Sequence, residues 1–96
     1  MLFANIFELV EVMKTKQIIG RNLKFLRYQS GLSQEDFYTM HNLSVKYLAM
    51  VERGEVNVSV DFLDRLAKKL KVNTSELLID DASRKINKKR IDSKTM

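Results

Sequence analysis

A four-residue break, HNLS at positions 41–44, separates two short segments of helical periodicity and most constrains the fold of this chain. The first segment, residues 34–40, follows Ser33, whose hydroxyl is a good helix N-cap. Asn42 tolerates a left-handed backbone in the break, and Ser44 can cap the second segment. Two short helices joined by a turn of about four residues have the size and spacing of a helix-turn-helix.

Helical periodicity continues on both sides of this motif, and the sequence contains no strand pattern. With no proline and only three glycines in 96 residues, little interrupts the helices. Residues 16–30 predict a first domain helix, and residues 60–70 and 74–78 predict two more after the motif. We therefore predict an all-α domain of five helices around one core, covering residues 16–79.

The two ends of the chain differ from this domain. In residues 1–15, apolar side chains recur at helical spacing, which predicts an extra N-terminal amphipathic helix. Its apolar side packs either on its own domain or on a second subunit, and the sequence favours neither alternative. Residues 80–96 hold six basic and three acidic groups, which predicts a basic, flexible tail or an arm that follows phosphates.

Composition argues against an enzyme, a metalloprotein or a membrane protein. The sequence has no cysteine, and its single histidine, His41, has no second ligand at metal-binding spacing. It also lacks a glycine-rich phosphate loop, and its carboxylates are scattered. The apolar leader has no basic region or cleavage site and is too short to span a bilayer. We expect a cytoplasmic protein without enzymatic activity, without cofactor or metal, and without a membrane partner.

Residues 19–78 resemble the lambda-repressor/Cro-like helix-turn-helix family, also called the XRE family. Three markers carry the resemblance in the family's order, namely GLSQEDF, VERGE and a later amphipathic helix that ends in KVNTSELL. The resemblance implies a lambda-repressor-like domain that binds double-stranded DNA sequence-specifically, with the helix of residues 44–52, the recognition helix, in the major groove. The net charge of +5 suits a polyanionic partner.

The resemblance also assigns DNA contacts to individual residues. The candidates for base-edge contacts are Val45, Lys46, Tyr47 and Met50. The candidates for phosphate contacts are Gln34, Ser44, Lys24, Arg53 and Asn57. Because Val45 and Met50 offer only apolar contacts, we expect much of the discrimination to come from thymine methyl groups and DNA shape.

Three further positions bear on how the motif is held together. Arg27 and Glu52 match a family ion pair, to which we assign a positioning role. Tyr38 stands where the family usually has alanine, and His41 where it usually has a buried aliphatic residue. We expect these two bulky side chains to alter how closely the two helices of the motif cross.

A homodimer is expected, because one such domain reads only a few base pairs. The dimer surface is predicted either at the end of the domain or in the leader, with the candidates Leu77, Leu78, Ile79, Phe3, Ile6 and Phe7. The short chain looks most like a phage-type repressor or a restriction-modification controller protein. The alternative is an antitoxin or regulatory adaptor that uses the same fold to bind an unknown protein partner.

Overall fold

The computed structural model describes residues 6–81, apart from the side chains of residues 7–9. Within this range the chain forms only helices, which confirms the predicted all-α class. They are α1 (Ile6–Ser30), α2 (Gln34–Met40), α3 (Val45–Glu52), α4 (Val60–Leu70) and a final 3₁₀ helix (Thr74–Leu78). All but the first two residues of the predicted basic tail, 80–96, lie outside the described residues. Phe3 and the side chain of Phe7 also lie outside them.

Helix α1 is one continuous helix of 25 residues rather than an extra helix followed by a domain helix. Its second half contributes Ile19 and Leu23 to the core. Its first half is not covered by the described part of the chain, since Ile6, Val10 and Met13 are 78%, 53% and 57% exposed. Residues 6–19 contain neither proline nor glycine, which explains why the two predicted segments join into one helix.

Short polar caps fix where the other α-helices begin. The side-chain oxygens of Ser33, Ser44 and Ser59 each accept a hydrogen bond from the backbone N–H three residues later, at 3.1, 3.1 and 3.0 Å. Such a cap typically stabilises a helix by about 1 kcal/mol. Asn42 adopts the left-handed backbone that the turn requires, with φ of 59°. The helix-turn-helix is therefore built from α2, this turn and α3.

The second half of α1 and the four later helices together enclose the core. Its buried apolar side chains are Ile19, Leu23, Phe37, Tyr38, Leu48, Val51, Leu63, Leu66, Ala67 and Leu77. Leu77 is completely buried, so it cannot contact a second subunit and no longer stands as a dimerisation candidate. Its neighbour Leu78 is 44% exposed and stays available to a partner.

None of the helices within residues 6–81 combines the length and the apolar character that a membrane crossing requires.

Candidate nucleic-acid interface

Helix α3 is held by one face and open on the other. Leu48 and Val51 are only 1% and 2% exposed and pack into the core. On the other side of the helix, Lys46 is exposed, and Ala49 and Met50 are half-buried. This division follows the helical repeat of about 3.6 residues. The surface that the sequence predicts for DNA contact is therefore accessible in the monomer.

Three candidates near the start of α3 also have structural roles. The ring of Tyr47 meets the ring of Phe62 on α4 edge to face, with centroids 5.2 Å apart. Val45 is half-buried and packs against the core. Ser44 accepts the Tyr47 N–H as a cap, and its own hydroxyl hydrogen is still free to be donated. Only the accessible parts of Val45 and Tyr47 can therefore reach a base.

The last residue of α3, Glu52, carries a buried carboxylate, with its side chain 1% exposed. Arg27 on α1 donates to it through two nitrogens, from Nε to Oε2 at 2.7 Å and from Nη2 to Oε1 at 3.0 Å. A bidentate arginine–carboxylate pair is among the strongest hydrogen-bonded pairs in proteins. Arg27 also donates from Nη1 to the carbonyl oxygen of Leu32 at 3.2 Å. The pair thus joins α1 to the end of α3.

Two side chains of α2 occupy the other acceptor positions of this carboxylate. The Tyr38 hydroxyl donates to Oε2, and Gln34 Nε2 donates to Oε1 at 3.0 Å. An ionised carboxylate accepts about four hydrogen bonds, so the donors from Arg27, Tyr38 and Gln34 saturate Glu52. We call these four residues the Glu52 network. It connects α1, α2 and α3 through one side chain.

Sequence reasoning identified Tyr38 only as a bulky departure from the family and did not find its hydrogen bond to Glu52. One signal was present: Tyr38 follows Gln34 by four residues, which places both on one face of α2. His41 packs its ring edge to face on Phe37, with centroids 4.8 Å apart. Across residues 6–81, no group of three or more histidine, aspartate or glutamate side chains is arranged to hold a metal ion.

The charge state of the Glu52 network follows from its contacts. Burial raises the pKa of the Glu52 carboxyl, but hydrogen bonds from Arg27, Tyr38 and Gln34 outweigh burial and hold that pKa below its ordinary value. Burial and the bond to Glu52 raise the pKa of the Tyr38 hydroxyl. At neutral pH the carboxylate is therefore charged, the tyrosine is a neutral donor, and Arg27 balances the charge.

The remaining phosphate candidates lie outside this network. Arg53 follows α3 and donates to the exposed Glu55 carboxylate from Nε at 2.8 Å and from Nη2 at 3.0 Å. Asn57 is exposed in the loop between α3 and α4, and Lys24 is half-buried on α1. Among the phosphate candidates, Arg53 and Gln34 thus each donate to a glutamate of the same chain.

Comparison with known proteins agrees with this architecture. Residues 23–77 match the family model described as Helix-turn-helix, HTH_3. The chain belongs to this helix-turn-helix family. The match confirms the XRE-type resemblance drawn from the three sequence markers, and it assigns the chain to a DNA-binding family rather than to a class of enzymes.

Two curated relatives match this chain over the same number of residues. An uncharacterized HTH-type transcriptional regulator, y4dJ, of Sinorhizobium fredii (strain NBRC 101917 / NGR234) is 36% identical over 66 residues, which cover 69% of this chain and 86% of the relative. The control protein C.SmaI of Serratia marcescens is 36% identical over 66 residues, which cover 69% of this chain and 79% of the relative. No solved structure shows a significant match to this chain.

Proposed function

We propose that this helix-turn-helix protein is a sequence-specific transcriptional regulator that inserts α3 into the major groove of duplex DNA. The observation that carries the proposal is the division of α3, whose inner side is fixed by Leu48 and Val51 while Lys46 and Met50 remain accessible. A helix held in this way can present side chains to base edges without losing its place in the core.

The contacts proposed with bases and those proposed with phosphates have different chemistry. Lys46 donates to a guanine edge or to a phosphate, whereas Met50 and the accessible part of Val45 contact thymine methyl groups. Gln34, Ser44, Arg53, Asn57 and Lys24 are proposed to contact phosphates, which position the protein but do not read sequence. With few groups that form paired hydrogen bonds to one base, DNA shape contributes much of the discrimination.

The protein acts as a homodimer on a two-fold operator, with half-sites about one helical turn apart. Of the predicted dimer candidates, Ile6 is 78% exposed, Leu78 is 44% exposed and Ile79 is half-buried. Sedimentation of Ile6→Lys and Leu78→Lys, each against the parent chain, tests the two surfaces separately. The substitution that lowers the sedimenting mass to that of one chain identifies the dimer surface.

A restriction-modification controller is the more specific role that we propose. One of the two relatives is named a control protein. A phage-type repressor has the same fold and chemistry. The two roles differ in their operators and regulated genes, and selection of bound DNA identifies the operator.

The function is tested by selecting bound duplexes from a random pool and measuring their affinity as the salt concentration changes. We expect one enriched, two-fold-symmetric sequence, with binding that weakens steeply as salt rises because bound phosphates release counterions. Lys46→Ala should weaken binding to that sequence, whereas Lys68→Ala removes the same charge from α4 and serves as the control. A chain that retards no duplex at low salt contradicts the proposal.

A protein partner is the second candidate function, favoured by the first half of α1. Ile6, Val10 and Met13 are each more than half exposed and share one face of α1, and clustered exposed apolar side chains often mark protein interaction sites. An antitoxin or adaptor of this kind would bind its partner through α1 and show no enrichment in the DNA selection. The same experiment therefore separates the two functions.

A further inference from the structure

Tyr38 lies in α2 of the helix-turn-helix, at a position where the XRE family usually has alanine. Its side chain is fully buried, and its ring meets Phe37 edge to face with centroids 5.3 Å apart. Its hydroxyl reaches the buried carboxylate of Glu52. An alanine methyl group has no donor, so this contact belongs to the present chain and not to the family pattern.

We propose that Tyr38 is a positioning residue for DNA recognition that acts through Glu52 on α3 and on Gln34. This inference rests on the proposed DNA-binding function. The hydroxyl of Tyr38 and Nε of Arg27 share Oε2 of Glu52, which fixes the rotation of the carboxylate. The other oxygen, Oε1, then faces Gln34 Nε2 at 3.0 Å.

The first consequence concerns the phosphate contact of Gln34. The amide nitrogen of glutamine carries two hydrogens, and one of them is donated to Glu52. The second hydrogen is left for a DNA phosphate, in a direction set by the first. Tyr38 therefore orients this donor at the start of α2, although Tyr38 itself is buried and touches no DNA.

The second consequence concerns α3. Glu52 ends the recognition helix, and its carboxylate receives donors from both α1 and α2. Without the Tyr38 hydroxyl, one buried acceptor position is empty, and the carboxylate is held only by the donors of Arg27 and Gln34. Recognition of a specific sequence requires α3 to keep a fixed place relative to the bases, whereas non-specific binding depends on total charge. Loss of the hydroxyl should therefore reduce specific binding more than non-specific binding.

The experiment compares Tyr38→Phe with the parent on the selected operator and on a scrambled duplex of the same length. Tyr38→Phe keeps the buried ring and removes one oxygen atom. We expect operator affinity to fall roughly 3- to 10-fold, in the range of known couplings between sites, while scrambled-duplex affinity changes less than about twofold, since no charge is lost. Ile19→Val, which removes one methyl group from the core outside the Glu52 network, is the control for a general loss of stability.

A second variant replaces Tyr38 by 4-aminophenylalanine, which keeps an N–H donor on the same ring. We expect it to recover operator affinity toward the parent value, which a role limited to ring packing does not predict. If Tyr38→Phe is folded and keeps the operator-to-scrambled ratio of the parent, the positioning role is overturned. If Tyr38→Phe does not fold, the 4-aminophenylalanine variant supplies the test instead. An operator-to-scrambled affinity ratio roughly 3- to 10-fold below that of the parent in this variant then overturns the positioning role. A parent chain that selects no duplex overturns the proposed function itself, a separate outcome.

Discussion

Gly20 of α1 lies directly against the backbone of Glu52, the last residue of α3. A methyl group added at position 20 would lie 2.6 Å from the carbonyl oxygens of both Glu52 and Val51. These are backbone atoms, so no side-chain rotation can relieve the contact. The absence of a side chain at Gly20 therefore sets how closely the end of the recognition helix approaches α1.

Gly20→Ala is expected to destabilise the protein by roughly 1–3 kcal/mol, the usual cost of overpacking a core. Alanine favours a helix over glycine by about 1 kcal/mol, so a gain in stability is the outcome expected if the close approach were unimportant. Urea denaturation measures the difference. Thr15→Ala, at an exposed position of the same helix, is the control for helix propensity, and a stabilised Gly20→Ala contradicts the packing described here.

Replacing Glu52 by glutamine is expected to cost on the order of 3–5 kcal/mol, because Arg27 is left charged and without its buried partner. Urea denaturation should show that Arg27→Met and Glu52→Gln together cost less than the sum of the two single substitutions. Glu55→Gln breaks the chemically equivalent pair with Arg53 at the exposed surface, where solvent screens the charges. It is the matched control, and an equal loss of stability in both glutamine variants would contradict the importance of burial.

Acid should weaken the fold partly through Glu52. Its pKa is lower in the folded protein than its ordinary value, so its contribution is present above the unfolded pKa of about 4.3 and is lost as pH falls through the lower folded pKa. The pKa values of Asp80 and Glu55 are also lowered, chiefly by hydrogen bonds from Arg21 and Arg53. The test therefore compares the parent with Glu52→Gln between pH 6 and pH 3, which lie about a unit or two on either side of the unfolded pKa. Over this range the free energy of unfolding should fall less in Glu52→Gln than in the parent. Equal slopes would count against this assignment.

The local elements of this fold were predictable from sequence because their signals lie within a few residues of one another. Residues 34–40 were predicted as a helix and form α2 with the same bounds. Ser44 caps α3, and Asn42 takes the left-handed conformation in the turn. Each of these features depends on side chains that contact the backbone of their own helix or turn.

Features that depend on distant parts of the chain were not predictable in the same way. The hydroxyl of Tyr38 reaches Glu52, 14 residues later, and the nearby sequence shows only that Tyr38 shares a face of α2 with Gln34. The close approach of Gly20 to α3 likewise joins residues more than 30 positions apart. The continuity of α1 also differs from the prediction, which places separate helical segments in residues 1–15 and 16–30, although residues 6–19 contain no proline or glycine to end a helix.

Glu55 is expected to restrain DNA binding by holding Arg53. The two side chains form a bidentate pair at the surface, where Arg53 is 55% exposed. Glu55→Gln removes a negative charge beside the proposed phosphate contact and frees the guanidinium. Gel-shift titration should show severalfold tighter binding, with a salt dependence whose slope is steeper by up to about 0.9 for one added phosphate contact. Glu11→Gln makes the same charge change at an exposed position of α1, and an equal gain there would assign the effect to net charge alone.

Thymine methyl groups are expected to carry part of the sequence discrimination, because Met50 and Val45 offer DNA only apolar contacts. Replacing a contacted thymine by uracil removes one methyl group, worth about 0.8 kcal/mol or about fourfold in affinity. Binding of the selected operator with single uracil substitutions measures this loss, and 7-deazaguanine at guanine positions measures the contribution of an acceptor that Lys46 can use. Met50→Ala should abolish the difference between thymine and uracil at one position while Lys46→Ala preserves it. A series in which the guanine substitutions cause the largest losses would assign recognition to hydrogen bonds instead.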